Sequence, residues 1–206
     1  MGLYDRFILP RLIDAACSAG PIDKQRAKIV PQAEGVVLEL GFGSGLNLPH
    51  YDPRKVQRLI ALEPSQGMLA RAKDKASVSP FQVDVLPETA EALSLGEASV
   101  DTVLVTYSLC TIPDPVSALA AARRVLKPGG KLLFCEHGVA PDAEVQRWQR
   151  RIEPVWKVIG GGCHLTREIP KLVAAAGFAI DRMDTMYLPK SPRWAGYNYW
   201  GAARSI

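Results

Sequence analysis

Val36-Val37-Leu38-Glu39-Leu40-Gly41-Phe42-Gly43-Ser44-Gly45 is the stretch on which the fold turns. A short apolar run ends at Gly41, as a buried strand does, and three alternating glycines follow it. Glycine lets a ligand approach the backbone with no side chain in the way. In open α/β sheets that ligand lies beyond the carboxyl ends of the strands. Glu63 comes about twenty residues further on, after a second strand candidate at 56–62, where a carboxylate takes the hydroxyls of a ribose. A dinucleotide fingerprint would need glycine at position 46, where this chain has Leu46. The next residues, Asn47 to Pro49, start a helix poorly, so the pyrophosphate has no helix terminus to sit on. A ligand with a ribose and no phosphates fits better, which describes S-adenosyl-L-methionine.

Outward from this loop, strand and helix alternate, and a parallel sheet covered on both faces follows. The spacing predicts a helix over 65–75, a strand near 81–85 and a β-branched strand over 100–106. A helix over 115–126 begins with Pro115, which suits a first turn. Lys127-Pro128-Gly129-Gly130 predicts a turn, and residues 131–136 a fifth strand. Residues 142–159 carry Val145, Trp148, Ile152, Val155 and Ile159 at helical spacing, with Pro154 bending the helix and three glycines ending it. Thr166 is placed to cap another helix that stops at Gly177. Residues 180–187 and 197–202 read as a closing antiparallel pair.

The motifs resemble those of class I S-adenosylmethionine-dependent methyltransferases. Val37 to Gly45 looks like their first motif. Ala90-Glu91-Ala92-Leu93 with Ala98-Ser99-Val100-Asp101, and Arg124 to Gly130, are similar to later ones, so the likeness runs from about residue 35 to 137. A narrower similarity, to the thiol S-methyltransferase-like branch, lies in Gly45-Leu46-Asn47 with Tyr51, Leu109-Cys110, Glu136-His137 and Gly162 to Glu168.

The resemblance implies a Rossmann-like α/β fold with a seven-stranded, mostly parallel sheet, its last strand antiparallel. It implies one domain over 1–206, with an N-terminal helical segment at 1–34 and a substrate-covering insert at 138–170. Gly41, Gly43 and Gly45 then border the methionine part of the donor, and Glu63 takes the ribose. Thr89, Ala90 and Glu91 lie beside the adenine, and Thr106 with Tyr107 meets the amino-acid end. Glu39 and Asn47 complete the cofactor set, Glu39 either touching ligand or bonding the amides of the loop.

Methyl transfer is an in-line displacement that mainly needs alignment and exclusion of water. A base is required only when the acceptor must lose a proton. His137, whose ordinary pKa lies near neutrality, is the first candidate, with Tyr107 and His164 beside it. Trp148, Trp156, Trp194, Tyr197 and Trp200 serve either an apolar acceptor pocket or the core.

Composition narrows the class. Of 206 residues, 48% are hydrophobic and 22% charged, which suits a globular fold. The net charge of +4 is too small and too scattered to argue for nucleic acid. Four cysteines occur without a CxxC pair, which argues against a structural zinc site or a disulfide framework and for reduced thiols in the cytoplasm. No metal is expected. Residues 1–17 lack the apolar run of a signal peptide or membrane span. Leu3, Phe7, Ile8 and Leu12 share a helical side, which either touches a membrane surface or packs on the protein's own body.

The expected partner is therefore a small-molecule methyl acceptor, a thiol or another apolar nucleophile. Phospholipid headgroup or quinone methylation is the alternative, and a non-catalytic S-adenosylmethionine-binding regulator is a third reading. An oxidoreductase is disfavoured by Leu46, and by Pro53 inside the YxxxK-like stretch Tyr51 to Lys55.

Overall fold

The computed structural model describes residues 8–206. Two helices, α1 (Leu9–Cys17) and α2 (Gly20–Ile29), precede β1 (Gly35–Leu40) and β2 (Val56–Leu62). Then come α3 (Gln66–Ser77), β3 (Gln82–Leu86), β4 (Val100–Thr106), α4 (Pro115–Val125) and β5 (Leu126–His137). The chain closes with α5 (Ala143–Ile159), α6 (Ile169–Ala175), β6 (Phe178–Tyr187) and β7 (Tyr197–Ser205). Leu3 and Phe7 of the predicted N-terminal stripe lie outside the described residues.

The seven strands form one sheet in the order β3-β2-β1-β4-β5-β7-β6. The first five are parallel neighbours, and β7 runs antiparallel to both β5 and β6. From β1 the chain builds outward to β2 and β3, then returns to lay β4 on the other side. That reversal opens a crevice beyond the ends of β1 and β4, where open α/β sheets hold ligands.

Successive side chains of a strand point to opposite faces, and the core divides accordingly. Leu38, Leu40, Val103, Val105, Leu132 and Phe134 pack with Leu119 and Ala122 of α4 and Ile169 and Val173 of α6. Val37, Leu59, Ala61, Leu104 and Leu133 pack with Ile29 of α2 and Ala72 of α3. Both faces are thus covered by helices, which explains the nearly continuous apolar runs of the central strands.

Two expectations are corrected. Lys127 to Gly130 form a bulge inside β5, not a turn before it. Val100 pairs with Leu126 and Thr102 with Lys131, so β5 spends extra residues there, and Gly129 takes φ +80° to do so. Thr166 caps no helix, because its hydroxyl donates to Glu153 Oε2 at 2.7 Å, and α6 begins only after Glu168. Along α5 the predicted stripe forms as read, and its Trp148, Val155 and Ile159 are exposed.

Among the described residues no helix is long and apolar enough to cross a membrane.

Candidate functional site

A cavity of ≈ 330 Å³ opens where β1, β2 and β4 end. Gly41 to Ser44, Glu63 to Ser65, Glu88 to Glu91, Thr106 to Ser108 and Thr111 to Pro113 line it, with Leu9, Pro10, Ile13, Asp14 and Cys17 of α1, Arg26 of α2 and Gly161 beyond α5.

The glycine loop is pinned to its neighbours. The amides of Gly41 and Phe42 both donate to Leu62 O, at 3.1 and 2.9 Å. Gly41 has φ +75° and a Cβ there would collide with Ser108 Oγ, so only glycine fits. Gly43 has φ +59° and its missing Cβ would enter open space, leaving the wall free for a ligand. Glu63 ties this loop to the end of β2, since its Oε2 accepts from Gly43 N at 2.7 Å and its Oε1 from Ser65 N at 2.8 Å. Burial raises the carboxyl pKa of Glu63 above the usual range, against the pull of these two amides.

Beneath the loop lies a buried polar network. Arg26 donates from Nη1 to Asn47 Oδ1 at 2.8 Å and to Thr106 Oγ1 at 2.7 Å. Asn47 Nδ2 donates to Glu39 Oε1 at 2.8 Å and to Thr106 Oγ1 at 2.9 Å, while Tyr51 donates its hydroxyl to Glu39 Oε2 at 2.6 Å. Glu39 therefore bonds side chains rather than loop amides, and neither it nor Asn47 is among the residues lining the cavity. Gly45 is also set back, against Leu48 and Phe42.

Burial pushes the Glu39 carboxyl up from 4.5 to about 7, although Tyr51, Asn47 and Arg26 all favour its charged form. A carboxyl raised in the folded state binds its proton more tightly there than when unfolded. Its contribution is complete below pH 4.5 and is lost as pH rises through about 7. Wild-type stability should thus fall by roughly 3 kcal/mol across that window, and Glu39→Gln should flatten the decline. Urea midpoints measured at stepped pH would show it; parallel curves for the two proteins would absolve Glu39.

Of the predicted catalytic side chains, Tyr107 alone lines the cavity. Its backbone holds φ +52°, and its hydroxyl donates to Asn198 Oδ1 of β7 at 2.6 Å. Burial raises that phenol well above its ordinary value of 10.0, so it is no base near neutrality. His137 turns Nε2 toward Cys163 Sγ at 3.0 Å, and His164 Nδ1 faces Glu153 Oε1 at 3.3 Å; neither is among the lining residues. Thr89, Ala90, Glu91 and Thr106 do line it. None of Trp148, Trp156, Trp194, Tyr197 and Trp200 lines the cavity; Tyr197 and Trp200 pack against the core, and Trp148 is exposed.

Two site residues carry no sequence signal. Arg26 is 5% exposed, is the one cation among the described lining residues, and keeps a buried Nε without a partner. Asp14 of α1 accepts from Ser44 in the glycine loop and pairs with Arg71 of α3, which clamps α1 over the cavity.

The methyltransferase domain family matches residues 38–134. The thiol S-methyltransferase TMT1B of Rattus norvegicus is 33% identical over 170 residues, spanning 79% of this chain and 70% of its own length. Its Homo sapiens namesake is 34% identical over 169 residues, spanning 78% and 68%. The chain belongs to the S-adenosylmethionine-dependent methyltransferases, in the branch that holds the thiol S-methyltransferases. A possible histamine N-methyltransferase of Thermotoga maritima superposes with a TM-score of 0.68 over 98% of both chains at 23% identity, a likeness of fold.

The methyl donor of this methyltransferase is S-adenosylmethionine, and the cavity suits it. The open space at Gly43 admits a close ligand, the Glu63 carboxylate stands in the wall, and Arg26 brings a positive charge to it that suits an anionic group.

Proposed function

We propose that this methyltransferase moves the donor's methyl group onto the sulfur of a small apolar thiol, in the cytoplasm. One observation carries the reading: the chain is about one-third identical to thiol S-methyltransferases over more than three-quarters of its length. The wall supports it. Leu9, Pro10, Ile13, Ile112 and Pro113 offer an apolar approach, and both candidate histidines stand away. A thiol ionises partly near neutrality, so it needs alignment more than a strong base.

When bound, S-adenosylmethionine supplies a methyl carbon activated by its positive sulfonium. Glu63 would hold the ribose hydroxyls, with Thr89, Ala90 and Glu91 beside the adenine. Gly41 and Gly43 border the methionine part. Arg26 and Thr106 would hold its carboxylate end, and Glu39, Asn47 and Gly45 would keep that floor in shape. Residues 138–170 cover the acceptor through Gly161, and α1 covers it from the other side. These residues would hold the donor with its methyl group open to the acceptor sulfur, whose proton would go to solvent.

Incubation with isotopically labelled donor and matched alkyl thiols, alkanols, quinols and phospholipid vesicles tests the reading. Label should enter the thioether and leave the alkanol untouched. Label in a quinol ether or lipid amine, with none in any thiol, would sink it.

A further inference from the structure

Three side chains outside the donor cavity converge from distant parts of the chain. Cys110 sits in the turn after β4, His137 ends β5, and Cys163 follows the glycines after α5. Their ligating atoms all lie within 4.8 Å of one another, and Cys110 and Cys163 are buried. We propose that Cys110 Sγ, His137 Nε2 and Cys163 Sγ bind one thiophilic divalent ion of the zinc class.

The geometry is close to what such an ion needs. Tetrahedral zinc–sulfur and zinc–nitrogen bonds place ligand atoms about 3.6–3.8 Å apart. His137 Nε2 and Cys163 Sγ stand 3.0 Å apart, so the ion requires only a small opening.

The backbones that carry the ligands are tied together. His164 N donates to Cys110 O at 2.8 Å, joining the two cysteine loops. Arg167 Nη1 donates to Ile112 O at 2.7 Å, and Glu136 Oε1 accepts from Leu109 N at 3.1 Å. This is the preorganisation a metal site requires.

Polar groups stand beside both sulfurs, and a buried carboxylate nearby favours a cation. Trp156 Nε1 donates toward Cys163 Sγ at 3.3 Å, and Thr111 Oγ1 lies 3.5 Å from Cys110 Sγ. Glu136 interacts electrostatically with Cys110 and His137, and its Oε2 is buried without a partner, as is His137 Nδ1. Native proteins seldom leave such atoms unmatched, and a nearby dication would stabilise the carboxylate oxygen.

Two sulfurs and an imidazole select zinc-like ions over magnesium or calcium. On binding, both thiol protons leave to solvent, two sulfur–metal bonds form, and nothing is oxidised or reduced. Three protein ligands leave a fourth position for water or an outside ligand. Thr111 and Gly161, close in sequence to two of the ligands, line the donor cavity, so the ion stands just behind its wall.

Titration of the reduced, metal-free chain with Co²⁺ tests the site without any variant. One equivalent should produce a thiolate-to-cobalt charge-transfer band and the intense visible spectrum of a four-coordinate ion, and Zn²⁺ should abolish both. Cys163→Ala should lose about half the charge-transfer intensity, and His137→Ala should weaken Co²⁺ binding at least about a hundredfold. A weak six-coordinate spectrum without charge transfer overturns the site, as does a wild-type spectrum that His137→Ala leaves unchanged.

Discussion

Glu63→Ala should weaken binding of S-adenosylmethionine about a hundredfold or more, as read by titration calorimetry. The carboxylate holds the glycine loop and the start of α3 through the amides of Gly43 and Ser65, and on the present reading it also takes the ribose. Hydrogen bonds to a charged group are worth about 1.5–3 kcal/mol each, and about 1.4 kcal/mol is tenfold in affinity. Losing the ribose contacts and slackening the loop together reach that magnitude. Glu63→Gln keeps one acceptor oxygen and should fall between the two. A donor affinity for Glu63→Ala within about threefold of wild type would remove this carboxylate from the donor site.

The second large effect belongs to Arg26. Truncating one member of a buried, hydrogen-bonded charge set costs about 2–5 kcal/mol. Arg26→Ala strips Asn47 and Thr106 of their shared donor and leaves Glu39 without its nearby positive charge. Donor affinity should fall at least about thirtyfold. A general loosening of the floor would weaken every donor analogue alike. A direct contact with the donor carboxylate gives a different pattern, in which the penalty disappears for an analogue lacking that carboxylate. Equal penalties for the two ligands would reduce Arg26 to a structural support.

The parts of this site legible in the sequence are those whose geometry is local. A strand, its glycine turn and the next strand are contiguous, so Gly41, Gly43 and Glu63 could be placed by spacing alone. The strands at 56–62 and 100–106 were equally plain, being short β-branched or apolar runs with clear ends. Arg26 and Asp14 were not legible, because they come from helices outside every motif and reach the loop only through packing. Lys127 to Gly130 misled because proline and glycine punctuate a bulge and a turn in the same way. His137 misled for another reason. The end of a parallel strand usually faces the ligand crevice, and its position alone did not tell that its imidazole turns to Cys163.

The position of β7 constrains how the sheet can assemble. The strand that comes last in the chain lies between β5 and β6, so it cannot be added at a finished edge. Until residues 197–205 are in place, β6 has no neighbour to pair with. The flank of β5 stands open as well, and unpaired edges of this kind invite pairing with other chains. Residues 197–205 close both gaps in a single insertion, so any molecule in which they have not yet docked carries two open edges at once.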